Sequence, residues 1–244
     1  MCGDLDPPQP LLDQVALLDA PFYLRGRDYD LSVNAQGWSW CGLNHQGEVL
    51  RLAQLPLLDL PMENAALALQ AYAVMQLPWQ PEIISQALQQ TRVTGRLDRR
   101  MCKWQGKSLT LLLDVGHNPH AAEYLAQRLA NRAVPGKRLA VFGLLADKDL
   151  AGVVAPLLAE VHSWAVAALP TSRSREAVEL QTHLHNNGAR VAAYASVQAA
   201  LEAQCEQAAD GDEVLLFGSF YCVAEALDWL ARQANGGVQD GFAG

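Results

Sequence analysis

The chain has 244 residues, half of them apolar, with 18 Lys and Arg against 26 Asp and Glu for a formal net charge of −8. That length serves one large or two modest domains with proper cores, and the composition excludes a disordered chain. The acidic balance provides no overall basic field to gather nucleic acid or anionic lipid, so a small-molecule partner is expected.

The start, Met1-Cys2-Gly3-Asp4-Leu5-Asp6-Pro7-Pro8, has neither the basic nor the apolar region of a secretory signal. No apolar run approaches the roughly 20 residues of a membrane helix. The five cysteines, Cys2, Cys41, Cys102, Cys205 and Cys222, are scattered and show no CxxC pair or zinc-ligand spacing. Free thiols in a reducing cytoplasm are the expectation, with no membrane association.

After the Pro-rich entry, short strands are expected around Phe22 to Leu24 and Trp38 to Cys41, with Asn44-His45-Gln46-Gly47 as a hairpin turn. Helical patterns follow over Glu63 to Met75 and Pro81 to Thr91, Pro81 suiting a first helical position. A change of rhythm near Asp98 to Gly106 marks the expected seam between a first region, residues 1–98, and a second, residues 107–236. Residues 237–244 read as a flexible tail.

The second region alternates short β-rich runs with amphipathic helices, the pattern of βαβ units. Strands are predicted at Leu109 to Val115, Arg138 to Phe142, His162 to Ala167, Ala189 to Tyr194 and Glu213 to Phe217. Helices are predicted at His120 to Ala133, Leu150 to Ala159, Arg175 to His185, Val197 to Ala208 and Phe220 to Ala234. The fold class is therefore α/β, a Rossmann-like, mainly parallel sheet flanked by helices.

In such a sheet the ligand crevice lies outside the carboxyl ends of the strands, so residues that follow each strand carry the functional information. Asp114-Val115-Gly116-His117-Asn118-Pro119 ends a strand and opens a helix. Asn118 can cap that helix with Pro119 in its first turn, which leaves Asp114 to bind hydroxyls and His117 for the crevice, or both to tie down the turn. Within Gly143 to Asp149, Asp149 reads as a helix cap. Lys148 is either a solvated charge or a partner for a carboxylate or phosphate. In Phe217-Gly218-Ser219-Phe220, Ser219 beside free helix N–H groups suits an incoming carboxylate, or is a plain cap. Asn64 and Arg96 alone read as a helix cap and a surface charge. His45, His162, His183 and His185 have no metal spacing, and no metal ligand is expected in this chain.

Taken together, Pro61-Met62-Glu63-Asn64-Ala65-Ala66, Gly95-Arg96, Asp114 to Ala122, Asp147-Lys148-Asp149 and Val214 to Phe220 resemble the bacterial bifunctional dihydrofolate synthase/folylpolyglutamate synthases of the Mur ligase superfamily. The resemblance implies that residues 1–98 are the remainder of a central ATP-binding domain and that the second region is the carboxyl-terminal glutamate-ligase domain. It implies an ATP- and Mg2+-dependent ligase that joins L-glutamate to dihydropteroate or folate through an acyl phosphate. By position it assigns Asn64, Arg96 and Asp114 to ATP, His117 and Ser219 to glutamate, and catalytic roles to His117 and Lys148. The departures are Gly116, where Ala is frequent, and Tyr221, where His is common. The family's glycine-rich phosphate loop, Mg2+ ligands and carbamylated lysine have no counterpart in these residues. The chain is therefore expected to be inactive by itself, with a separate amino-terminal fragment as its partner. The competing expectation is a non-catalytic Rossmann-like module that binds glutamate or a nucleotide.

Overall fold

The computed structural model describes residues 1–236. These fall into two compact units that divide between Arg92 and Val93.

The first unit contains α1 (Gln9–Leu17), β1 (Tyr29–Asn34), β2 (Gly37–Leu43), β3 (Val49–Leu55), α2 (Met62–Val74) and α3 (Pro81–Gln90). The strands form an antiparallel sheet in the order β1-β2-β3. The β2–β3 turn is the expected one. The Asn44 side-chain oxygen accepts from the N–H groups of Gln46 and Glu48, each at 2.9 Å, while Gly47 takes a positive φ of 79°. Trp38 and Trp40 pack with Ala66, Leu69, Ala73 and Ile84 to make the core. The Trp40 indole donates to Ala66 O at 3.1 Å and buried Gln70 donates to Leu43 O at 2.7 Å, so α2 is bonded to β2 as well as packed on it.

Three features of this unit differ from the sequence reading. Phe22 to Leu24 is not a strand, because Leu24 makes only an isolated bridge to Cys2. β1 and β3 escaped because their outer positions are exposed and their alternation is diluted by polar residues. The helix α1 buries none of its residues, so it lacks the periodic apolar face by which a helix is recognised.

The second unit runs β4 (Asp98–Trp104), β5 (Lys107–Leu113), α4 (Pro119–Ala130), β6 (Arg138–Phe142), α5 (Leu150–Val154), β7 (Ser163–Ala167), α6 (Ala177–Asn186), β8 (Val191–Tyr194), α7 (Val197–Gln207), β9 (Glu213–Phe217) and α8 (Phe220–Gly236). Its sheet has the order β4-β5-β9-β6-β7-β8, parallel throughout except for antiparallel β4 at the edge. The stretch read as a seam is thus the β4–β5 hairpin, turned by Gln105 and Gly106 at φ of 48° and 82°. The expected helix over 150–159 is shorter. Pro156 has no N–H for the helical ladder, and α5 gives way to a 3-10 turn at Ala155–Leu157. The tail 237–244 lies outside the described residues.

One face of the sheet is covered by α7 and α8, through Ala200, Leu201, Val223 and Trp229, and the other by α4, α5 and α6, through Leu125, Val153, Leu180 and Leu184. Burial on both faces explains why β6, β7 and β9 are fully buried, near-continuous apolar runs.

An ionic cluster pins the amino ends of the central strands. Buried Glu213, the first residue of β9, pairs with Arg132 and with Arg138 of β6 at 3.2 Å. Arg138 also reaches Glu160 at 3.1 Å and Leu129 O at 2.8 Å. Removing the acid would leave two guanidinium groups without their shared partner. Glu213→Ala should therefore lower the unfolding free energy of this unit by about 3–5 kcal/mol. Urea unfolding followed by tryptophan fluorescence measures this, and a loss below about 1 kcal/mol would show that the cluster is solvated.

Candidate functional site at the carboxyl edge of the sheet

The loops that leave β5, β9, β6 and β7 lie side by side at one edge, as the strand order requires. Asp114 extends β5 by one rung, its N–H donating to Leu216 O at 2.9 Å. Asp114 is 7% exposed, and its carboxylate divides between two chain segments. One oxygen accepts from Gly116 N–H at 2.7 Å and the other from Leu97 N–H at 3.0 Å. Leu97 has φ of 45°, a left-handed conformation that a branched residue adopts only under constraint. The second tie is Val115 N–H to Gly95 O at 2.8 Å. Gly95 sits at φ of 72°, where a Cβ would stand 2.8 Å from Val115 Cγ1. The Thr94–Leu97 loop is thereby fixed to the β5 exit with Arg96 exposed on it.

Burial pushes the Asp114 carboxyl above its ordinary range, while the Leu97 and Gly116 N–H groups and the Arg96 charge draw it back. Both readings of Asp114 left open by the sequence are compatible with this geometry. It ties the turn, and each oxygen keeps acceptor capacity for a ligand hydroxyl.

The β5 and β9 exits are joined directly, Gly218 N–H donating to Gly116 O at 3.1 Å. Gly218 has φ of 100°, and a Cβ there would lie 2.5 Å from Gly143 O and 2.6 Å from the Phe142 ring. Only a glycine lets the β9 exit approach β6 so closely. His117 Nδ1 is 2.8 Å from Val115 O, so with Nδ1 protonated it donates there and Nε2 is the acceptor. Its ring lies 6.3 Å from that of Phe220 at the start of α8. Buried Ser219 accepts from Tyr221 N–H at 3.2 Å and so caps α8. Asn118 caps α4 by accepting from Ala121 N–H at 2.9 Å, with Pro119 in the first turn. Two helix starts therefore meet at this edge.

Past β6, Asp149 caps α5 through Gly152 N–H at 3.0 Å, as expected. Lys148 is half-buried and pairs with Asp147 at 3.1 Å. The loop after β7 adds cations that the sequence reading overlooked. Arg173 reaches Asp147 at 3.3 Å, and Arg175 donates to Ala146 O and Lys148 O at 2.8 and 2.9 Å. Arg175 precedes α6, whose first residue is Ala177, and is not part of the helix predicted from 175. An Arg-x-Arg pair just past a predicted strand was the available signal.

Asp114, His117 and Ser219 are thus brought together, Arg96 stands beside Asp114, and Lys148 occupies the next loop along the edge. Asn64 lies in the first unit, exposed in the first turn of α2, and it is not the cap, since Pro61 holds that position. A groove of about 430 Å³ between β3 and α3, lined by Arg51, Leu52, Pro81, Glu82 and Ser85 among others, contains none of these residues. Among the described residues no group of three or more His, Cys, Asp or Glu side chains could hold a metal ion, and no helix is long and apolar enough to cross a membrane.

The family described as "Mur ligase, glutamate ligase domain" matches residues 95–220. The dihydrofolate synthase/folylpolyglutamate synthase of Haemophilus influenzae is 32% identical over 239 residues, covering 91% of this chain and 53% of the relative. The solved structure of Escherichia coli FolC in complex with ADP superposes with a TM-score of 0.81 at 31% identity, covering 96% of this chain and 53% of that one. A solved bifunctional folylpolyglutamate synthase/dihydrofolate synthase with Mn, AMPPNP and L-glutamate bound gives 0.78 at 38% identity, covering 94% and 52%. The chain spans about half the length of the relatives it matches.

The Asp114 geometry has a pH signature. Because its folded pKa lies above the ordinary 3.8, the group favours the fold fully only below that value and loses this contribution as pH rises through the elevated folded pKa. The stability difference between wild type and Asp114→Asn should therefore shift against wild type as pH is raised from about 3 to 6, read from urea midpoints at each pH. A difference that stays constant would mean that the carboxylate is solvated.

Proposed function

Because the chain belongs to the Mur ligase family through its glutamate ligase domain, we propose that it forms the glutamate-receiving half of an ATP-dependent amide ligase acting on dihydropteroate and folates. The single observation that supports this most is the junction of Asp114, His117 and Ser219, held by the Gly218 N–H to Gly116 O bond across adjacent parallel strands. The named relatives act as dihydrofolate and folylpolyglutamate synthases, and one solved neighbour carries L-glutamate with AMPPNP and Mn.

In this reading the first unit is part of a central ATP-binding domain, with Asn64 at the base. Arg96 meets the phosphates, and Asp114 accepts from a ribose hydroxyl while holding the Arg96 loop. The glutamate α-carboxylate lies at the α8 N-terminus beside Ser219. His117 Nε2 takes the proton from the glutamate ammonium. The freed amine attacks the acyl phosphate carbonyl, the C–N bond forms, the C–O bond to phosphate breaks, and inorganic phosphate departs. Since the acyl phosphate is already activated, orientation of the amine and exclusion of water supply most of the remaining acceleration. Lys148 adds positive charge on the same edge.

ATP is the implied co-substrate, and Mg2+ would balance its phosphate charge when bound. The described residues offer no ligand set for the ion, so no role toward it is assigned to them.

The test combines this chain with a section from a relative that carries the phosphate-binding loop. Phosphate release should then depend on dihydropteroate, ATP and L-glutamate together. His117→Ala should lower kcat by about 100-fold with the fold intact, and Ser219→Ala should act mainly on the KM for glutamate. Dependence on ATP without dependence on glutamate would contradict the assignment.

A further inference from the structure

The sheet of the second unit ends in two strands whose outer sides no other strand among the described residues covers, β4 at one end and β8 at the other. An uncovered edge offers unpaired N–H and C=O groups to any second strand, and charged side chains are a common defence. β4 carries that defence, since Arg99, Arg100 and Lys103 stand within it, with Met101 70% exposed among them. A two-fold pairing of β4 with itself about Met101 would set Arg99 opposite Lys103 of the second copy, an unfavourable contact of like charges.

β8 has no such defence. Its sequence, Val191-Ala192-Ala193-Tyr194, holds no charge, proline or glycine, and shortness alone limits it as a template. Its free side is fixed by the ladder with β7. Trp164 N–H donates to Arg190 O at 2.8 Å, and Trp164 stands opposite Val191. In a parallel ladder this directs the backbone groups of Ala192 and Tyr194 toward β7, and those of Val191 and Ala193 outward. Ala192, Ala193 and Ala195 are exposed, and Ser196, which caps α7 by accepting from Ala199 N–H at 3.1 Å, ends the extended run.

We propose that β8 pairs antiparallel with β8 of a second copy about a two-fold axis at Ala193, joining two six-stranded sheets into one. In this register Ala193 exchanges both backbone bonds with its own counterpart, and Val191 stands opposite Ala195. Tyr194, which packs on the α7 side of the sheet, then lies beside Ala192 of the second copy, large against small. The nearest charge, Arg190, meets Ser196 rather than another cation, and its guanidinium is turned toward His162 at 3.4 Å. The two strand directions oppose, so the carboxyl edges of the two sheets face opposite ways and each candidate site stays open. So short a strand makes a small contact, which places the dimer in the weak, concentration-dependent class.

Sedimentation velocity of the full chain from about 2 to about 200 µM, a range suited to small transient interfaces, tests this. The weight-average coefficient should rise toward the dimer value. Ala193→Pro removes an outward N–H and leaves the β7 ladder whole, while Ala193→Lys sets two cations together at the axis. Both should keep the wild-type urea midpoint and weaken association by about tenfold or more. Amide exchange at Val191 and Ala193 should slow several-fold as the wild-type concentration rises. A wild type that stays monomeric, association that survives in Ala193→Lys, or a dimer without protection at Val191 and Ala193 would each overturn the inference.

Discussion

The carboxylate of Asp114 is the interaction on which the rest of the edge depends. Its two oxygens take the N–H groups of Leu97 and Gly116, which come from opposite sides of the β4–β5 hairpin. A neutral side chain without two acceptors would leave one buried N–H unpaired, a cost of about 1–3 kcal/mol. The same acid therefore governs where Arg96 stands and how the backbone enters the His117 turn. Its burial, which raises its own pKa, accompanies the holding of a left-handed leucine in place.

The two ends of the sheet divide the work. At the amino ends, Glu213 gathers Arg132 and Arg138 into a cluster tied to backbone carbonyls, where paired charge fixes the central strands. At the carboxyl ends, polar groups are bonded mainly to loops and helix starts, and His117, Lys148 and Arg173 keep atoms available to solvent. Close glycine contact makes this possible. Gly218 brings the β9 exit against Gly143 and Phe142, and the stacked Phe142 and Phe217 rings, 4.7 Å apart, back that approach from within the core.

Much of the second unit was legible in the sequence because strands buried on both faces must be continuous apolar runs. Arg138 to Phe142 and Glu213 to Phe217 were read with the bounds they have. The first unit was less legible. Its helix α1 buries nothing, and β1 has polar, exposed positions that interrupt alternation. Asp114, His117 and Ser219 were visible because they follow strands. The partners of Asp114 were not, since nothing in Thr94-Gly95-Arg96-Leu97 announces that Leu97 turns its N–H inward across 17 residues. Arg175 was hidden by a helix boundary placed two residues early, and Arg173 lies just before that boundary, six residues past the predicted strand, where a loop bends to bridge its neighbour.

The continuity of the edge as a receiving surface is most directly measured by mapping backbone amide shifts while L-glutamate is added to isotope-labelled chain. Perturbations should begin at Gly116–His117 and Gly218–Tyr221 and extend to Lys148 and Arg173. Shifts confined to the β3–α3 groove, around Arg51 and Ser85, would show that this edge is not where the amino acid binds.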